Sequence, residues 1–135
     1  MNAANVTRLR PHAPPTLLVV EDDVVTRFTV ADELRTRGFR VLEASDAGEA
    51  MTILAGFPVH LLFADVCIAG EASGLAVAKA ARSRRPAPHV ILTAGCLRPE
   101  EIADLAELGA FVPKPYALDH VADLVSRTLD PTAER

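Results

Sequence analysis

Tryptophan is absent from this 135-residue chain, tyrosine occurs once and cysteine twice. The two cysteines, Cys67 and Cys96, do not form a CxxC pair. They fit reduced thiols of a cytoplasmic protein better than a disulfide framework or a zinc site. No apolar run approaches the roughly 18 residues of a membrane-spanning helix, so no membrane partner is expected. Residues 1–15 carry two arginines and three prolines but no apolar h-region, which excludes a secretory signal and suits a flexible tail. An excess of positive charge is missing too. There are 14 Lys and Arg against 18 Asp and Glu, a net charge of −4, which argues against nucleic acid as a partner. The local basic run Arg82, Arg84 and Arg85 reads as the last turn of a helix, where the dipole favours cations. Also lacking is a glycine-rich loop after the first apolar run, and with it the phosphate cradle of a nucleotide- or flavin-binding module. Three acids stand there instead.

What is present is a core. Half the residues are hydrophobic, enough for one domain at this length, expected over residues 16–130 with 131–135 as a C-terminal tail. Short apolar runs at Thr16–Val20, Arg40–Glu43, His60–Ala64, His89–Thr93 and Ala110–Val112 alternate with amphipathic stretches of helical length. The first, third and fourth runs are apolar at nearly every central position, as strands buried on both faces of a parallel sheet are. The first helix places Val30, Ala31 and Leu34 on one face and stops at Gly38. Asp46 and Glu49 spell a capping box for the second, which ends near Gly56. The third, from about Gly74 to Arg85, stops at Pro86, and the fourth opens on Pro99, Glu100 and Glu101 and runs to Gly109. The fifth carries Leu118, Val121, Ala122, Val125 and Leu129 on one stripe. Five β-α units in series predict an α/β fold, a five-stranded parallel sheet in the order 2-1-3-4-5 with helices on both faces, flavodoxin-like (βα)5 in architecture. A closed eight-fold barrel would need about 250 residues. Ligands of open sheets bind at the carboxyl ends of the strands.

In the stretch LLVVEDD the first strand is followed at once by Glu21, Asp22 and Asp23. The third strand is followed by Asp65, the fourth ends in Thr93 with Ala94 and Gly95 after it, and the fifth leads into Pro113, Lys114 and Pro115. The predicted order makes these strands neighbours, so their ends converge on one edge. The second strand, ending at Glu43 and Ala44, lies outside and is assigned no role. Taken singly, each residue has an ordinary explanation: Asp23 or Asp65 caps a helix or loop, Thr93 has good β-propensity, and Lys114 suits a solvated loop. Their conjunction is harder to explain that way. Glu21, Asp22 and Asp65 make a hard-oxygen site suited to Mg2+, which takes carboxylates, waters and substrate phosphate. Lys114 adds a positive charge and Thr93 a hydroxyl donor, a set able to stabilise the oxygens of a transferring phosphoryl group. Asp65 at the centre is the candidate nucleophile, giving an aspartyl phosphate. Asp23 is set apart as a helix cap or rim charge.

The motifs VVEDD, LLFADV and ILTAG, with the segment from Gly109 and Ala110 through Phe111 to Lys114 and Pro115, jointly resemble the receiver domain of two-component response regulators. The resemblance covers about residues 16 to 129. It implies that Asp65 is the phosphoacceptor and a metal ligand, that Asp22 binds Mg2+ directly, and that Glu21 acts largely through water. Mn2+ is the alternative cation. Cys67 would give its backbone carbonyl to the metal. Thr93 would move toward the phosphoryl group, Lys114 would pair with it, and Phe111 would be the switch aromatic that reorients with Thr93. A cis Lys114–Pro115 peptide is implied as well. Ala69 stands where family members often have proline, which loosens the loop before the third helix. Phe111 has no phenol, so switching would rest on ring packing, or partly on Tyr116.

The implied partner is a histidine kinase or histidine phosphotransfer protein, with self-catalysed transfer and slow autodephosphorylation in place of conventional turnover. The switching surface would be the face of the fourth helix, fifth strand and fifth helix, which would also serve a homodimer. Only DPTAER follows Leu129, so a stand-alone regulator is expected, passing its signal to a further protein. Competing readings are a phosphate sink, a receiver-like scaffold that is not phosphorylated, and a small Mg2+-dependent phosphohydrolase. The last would have a DxD pair after the first strand and a cap region. Cys67 and Cys96 follow adjacent strands, which raises a peroxide-sensitive side role.

Overall fold

Leu17 to Val20 and Leu61 to Ala64 offer no polar side chain to turn toward water, and both runs are buried throughout. The computed structural model of the chain describes residues 13–68, 73–95 and 97–130. Within them, β1 (Thr16–Val20), β2 (Arg40–Ala44), β3 (Leu61–Asp65), β4 (His89–Ala94) and β5 (Ala110–Pro113) form one parallel sheet in the order β2-β1-β3-β4-β5. Alternating with them are α1 (Val24–Thr36), α2 (Ala47–Gly56), α3 (Ser73–Arg82), α4 (Pro99–Leu105) and α5 (Leu118–Leu129). This is the α/β architecture and strand order that the alternation predicts. Residues 1–12 of the expected N-terminal tail, the C-terminal tail 131–135, Ala69 and Cys96 lie outside the described residues. Among the described residues, no helix is long and apolar enough to cross a membrane.

Strand alternation sends successive side chains to opposite faces, and the two faces become two cores. Leu18, Val20, Leu62, Ala64 and Leu92 pack against Leu54, Val77, Ala78, Ala81 and Leu105 of α2, α3 and α4. Leu17, Val19, Leu61, Phe63 and Ile91 pack against Val30, Ala31 and Leu34 of α1 and Val121, Ala122 and Val125 of α5. Burying each large side chain contributes about 1.5–3 kcal/mol. The register keeps the strand ends level: Val20 lies opposite Ala44 and Ala64, Asp65 opposite Thr93, and Thr93 opposite Val112. That levelness makes the carboxyl edge a site.

The helix ends refine the expectation. Asp23 caps α1, its carboxylate accepting from the Thr26 N–H at 2.8 Å and the Thr26 hydroxyl at 2.7 Å. Gly38, with φ 97°, takes the left-handed turn that follows α1. Asp46 accepts from the Glu49 N–H at 2.8 Å, but the Glu49 carboxylate returns to the Ser45 N–H and hydroxyl at 2.7 and 2.8 Å, one residue before the expected partner. Helix α3 stops at Arg82 and α4 at Leu105, short of the predicted Arg85 and Gly109. Both close in tightened turns, with Ser83 and Arg84 bonded to Ala80 and Ala81, and Ala106 and Leu108 to Ala103 and Leu105. Gly109 is needed for another reason: a Cβ there would overlap the Val90 carbonyl.

Candidate functional site

The chain leaves β1 directly into Glu21, so the buried strand delivers a carboxylate that is itself only 3% exposed. Asp22 follows, exposed at the rim, and Asp65 ends β3 at 6% exposure. One carboxylate oxygen from each of Glu21, Asp22 and Asp65 lies within 4.8 Å of the others. Two buried acids and a third beside them repel unless a cation stands among them. Lys114 supplies the first. Its Nζ donates to Glu21 Oε1 at 2.7 Å and to Asp65 Oδ2 at 2.8 Å. The Lys114 backbone N–H is fixed on the Ala94 carbonyl at 3.0 Å, and the Lys114–Pro115 peptide is cis as expected. Burial works to lower the ammonium's pKa, but the hydrogen bonds to Asp65 and Glu21 outweigh it and hold the lysine well above its ordinary range. For Glu21 the balance is the reverse: burial raises its pKa, and the bonds from Lys114 and Asp23 only partly offset the rise. Lys114 thus offsets only part of the penalty that burial places on the Glu21 carboxylate.

Every polar group of Glu21 is engaged. Besides the bond from Lys114, its other carboxylate oxygen accepts from the Asp23 N–H at 3.1 Å. Its own N–H donates to the Ala44 carbonyl at 3.1 Å, and its carbonyl accepts from Arg27 Nη1 at 2.9 Å. Asp65 is held similarly, Oδ2 by Lys114 and Oδ1 by the Cys67 N–H at 3.1 Å. The last bond ties the Cys67 backbone, which carries an expected carbonyl ligand, to the acid cluster, while the thiol is exposed. The suggested partner thiol, Cys96, is outside the described residues. The donor set of three carboxylates suits a hard cation such as Mg2+ or Mn2+.

Thr93 is 1% exposed and stands opposite Asp65, with its hydroxyl buried and, among the described residues, without a hydrogen-bond partner. It is a donor left over when its neighbours are paired. The two aromatic candidates are not brought together. Phe111 packs against the core under α2, α3 and α4, while Tyr116 packs against the core under α1 and α5. Tyr116 meets Phe63 edge-on, with centroids 5.8 Å apart at 78°. Its hydroxyl is also buried without a partner among the described residues, and burial pushes its pKa up to about 12, with Lys114 opposing and Glu21 and Asp65 adding. A cleft of about 540 Å³ beside the cluster is lined by Thr26, Thr29, Gly95, Lys114, Pro115 and Tyr116 with Leu118.

Arg27 and Glu43 are the neighbours that the strand-end reading misses. Glu43 lies opposite Val19 in the sheet and pairs with Arg27 at 3.3 Å. An arginine four residues past Asp23, on the first turns of the helix that leaves the acids, is the signal that points to it.

A profile of the response regulator receiver domain matches residues 17–126. Protein PetR of Rhodobacter capsulatus is 36% identical over 106 residues, covering 77% of this chain and 44% of that protein. The aerobic respiration control protein ArcA of Escherichia coli is 30% identical over 122 residues, covering 86% of this chain and 50% of its own length. The chain thus spans about half the length of these curated relatives. Among solved structures, a response regulator receiver protein from Pseudomonas putida superposes with a TM-score of 0.77 at 32% identity, over 87% of this chain and 99% of the other.

Proposed function

The chain belongs to the response regulator receiver domain family of two-component signalling, and on that premise we propose that Asp65 accepts a phosphoryl group from the phosphohistidine of a histidine kinase or histidine phosphotransfer protein. The receiver is taken as residues 16–130. The observation that carries the reading is Lys114 bridging two buried carboxylates, Glu21 and Asp65, beside the unpartnered hydroxyl of Thr93. A merely structural salt bridge needs neither a second buried acid nor a spare buried donor.

In the reaction a carboxylate oxygen of Asp65 attacks phosphorus in line with the imidazole nitrogen. The O–P bond forms as the P–N bond breaks, and the imidazole leaves on the donor protein. A bound Mg2+, held by Asp22, Asp65 and the Cys67 carbonyl with Glu21 acting through water, would neutralise charge on the phosphoryl oxygens. Lys114 is already placed within hydrogen-bond reach of Asp65 and exchanges one carboxylate contact for a phosphoryl oxygen. Thr93 then gains the acceptor it lacks. Its movement biases the face of α4, β5 and α5, including the Phe111 ring, toward a second arrangement. Tyr116, on the opposite core, contributes through its contact with Phe63. The signal passes to a further protein, and a cytoplasmic site of action is proposed with it.

Incubation with acetyl phosphate and MgCl2, followed by intact-mass measurement, should add one phosphoryl group. The adduct should be missing in Asp65→Ala and in wild type treated with chelator. An unmodified wild type that binds Mg2+ would overturn phosphorylation in favour of a binding scaffold. Sustained hydrolysis of many small phosphate esters would favour a phosphohydrolase.

A further inference from the structure

Strand β2 contributes no carboxylate to the cluster, yet it is joined to it through Arg27. The Arg27 guanidinium donates to the Glu21 carbonyl at 2.9 Å and to Glu43 Oε1 at 3.3 Å, and its side chain is only 17% exposed. The second oxygen of Glu43 is held by Arg35 Nη1 at 3.0 Å, and Arg35 Nη2 is fixed on the Val41 carbonyl at 2.8 Å. A chain of charge-assisted bonds therefore runs from the β2 backbone through Arg35, Glu43 and Arg27 to the backbone of Glu21. The Glu21 carbonyl belongs to the planar peptide unit that contains the nitrogen and Cα of Asp22. Rotating that plane swings Asp22, while Glu21 itself is anchored on its other side by the Ala44 carbonyl.

We propose that Arg27, clamped by Glu43, is a positioning residue for the divalent-cation site: it locks the Glu21–Asp22 peptide plane and so aims the Asp22 carboxylate at Asp65. The inference rests on the proposed Mg2+ reading of the acid cluster. It makes strand β2, through Glu43, part of the metal site without a ligand on it.

Charge alone predicts the opposite behaviour. Arg27 is a cation near a cation site, so by Coulomb's law its removal would tighten Mg2+ binding. Loss of a positioning contact weakens it, commonly by about 10-fold or more when a group that orients a ligand is removed. The sign separates the two. The experiment is an NMR titration of the backbone amides with MgCl2 at constant ionic strength, on wild type, Arg27→Gln, Arg27→Lys and Glu43→Gln. The expected result is a Kd raised about 10-fold in R27Q and less in R27K, which keeps the charge but lacks the fork needed to hold both partners. E43Q should also weaken binding, and adding it to R27Q should cost little more, because the two act as one unit. Arg37→Gln is the control. It breaks pairs with Glu33 and Asp123 at the far end of α1, each 3.1 Å, and should lower stability with the Mg2+ Kd unchanged. An R27Q Kd equal to or tighter than wild type overturns the inference. Should R27Q not fold, an unchanged Kd in both R27K and E43Q overturns it equally. A wild type that binds no Mg2+ overturns the metal reading itself, an outcome distinct from the others.

Discussion

Thr93 and Tyr116 each bury a hydroxyl without a partner among the described residues, and an unsatisfied buried hydroxyl costs about 1–3 kcal/mol. For Thr93 the cost is tied to the proposed function, because the hydroxyl is the donor that a phosphoryl oxygen would take up. Thr93→Val should therefore raise stability in urea by about 1 kcal/mol, while Asp65 is still labelled by acetyl phosphate without the conformational response. A fall in stability would mean that the hydroxyl already has an acceptor. Tyr116 lends itself to a pH test. Its pKa of about 12 lies above the ordinary 10.0, so the folded chain keeps the phenolic proton longer than the unfolded chain does. Its stabilising contribution is complete below pH 10 and is lost as pH rises toward 12, in the same direction as that of the raised Lys114. Tyr116→Phe keeps the lysine's share and should make the fall of unfolding free energy between pH 10 and 12 shallower by up to one proton; identical slopes would refute this. Legibility differed among these residues. Asp65 and Lys114 could be read from the sequence because charged residues converge on the ends of neighbouring strands, although each alone has an ordinary explanation. Arg27 carries a weaker signal, its place four residues past Asp23, because an arginine within a helix is ordinary until the register of β2 brings Glu43 beside it.

At the scale of elements, two glycines forecast opposite outcomes for the same substitution. Gly56 ends α2 with nothing within 4 Å of an added Cβ, so Gly56→Ala should stabilise by about 0.5 kcal/mol through the restricted unfolded chain and better helix propensity. Gly74, in the first turn of α3, has no such room. Its N–H bonds the Val66 carbonyl at 3.1 Å, and a Cβ would overlap the carbonyl of Asp65. Gly74→Ala must push α3 from the end of β3, and a destabilisation of about 1–3 kcal/mol is expected. Slower labelling by acetyl phosphate should accompany it, because the displaced backbone carries the phosphoacceptor. Urea titrations of both variants check the signs; equal effects would mean that α3 shifts without resistance. The same elements show why the periodic pattern gave the sheet and its order but misjudged two helix ends. In the sequence, Gly109 and Pro86 stand as helix stops. Each helix closes earlier because local turn bonds satisfy its last carbonyls, and Gly109 answers to contact with Val90 on β4. Burial of β1, β3 and β4 is written in composition, whereas these closures depend on tertiary neighbours.

For the whole molecule, the distribution of packing indicates which part can move. β1, β3 and β4 are almost wholly buried at the centre of the sheet, whereas β5 is an edge strand with Val112 as its buried residue. Helix α4 has 7 residues and buries Leu105, in contrast to α1 and α5, which each bury three side chains. Local opening is least costly where few apolar groups are covered, so the α4–β5 side is the part of the fold that a small change in charge can reorganise. The proposed phosphoryl group would sit at Asp65, in register with Thr93, and Thr93 lies opposite Val112 of β5. The perturbation thus enters the sheet next to its least buried edge. Hydrogen exchange read by mass spectrometry should find the amides of α4 exchanging fastest among the five helices, and those of β1 and β3 slowest in the sheet. With acetyl phosphate and MgCl2 added, protection should change across residues 97–113 and at α5, with α1 and β2 nearly constant, and Asp65→Ala should abolish the change. A largest response in α2, or one spread evenly over the sheet, would exclude the α4–β5–α5 face as the switching surface. It would instead place the bistable element on the side of β2, where the Arg27–Glu43 pair meets the acids.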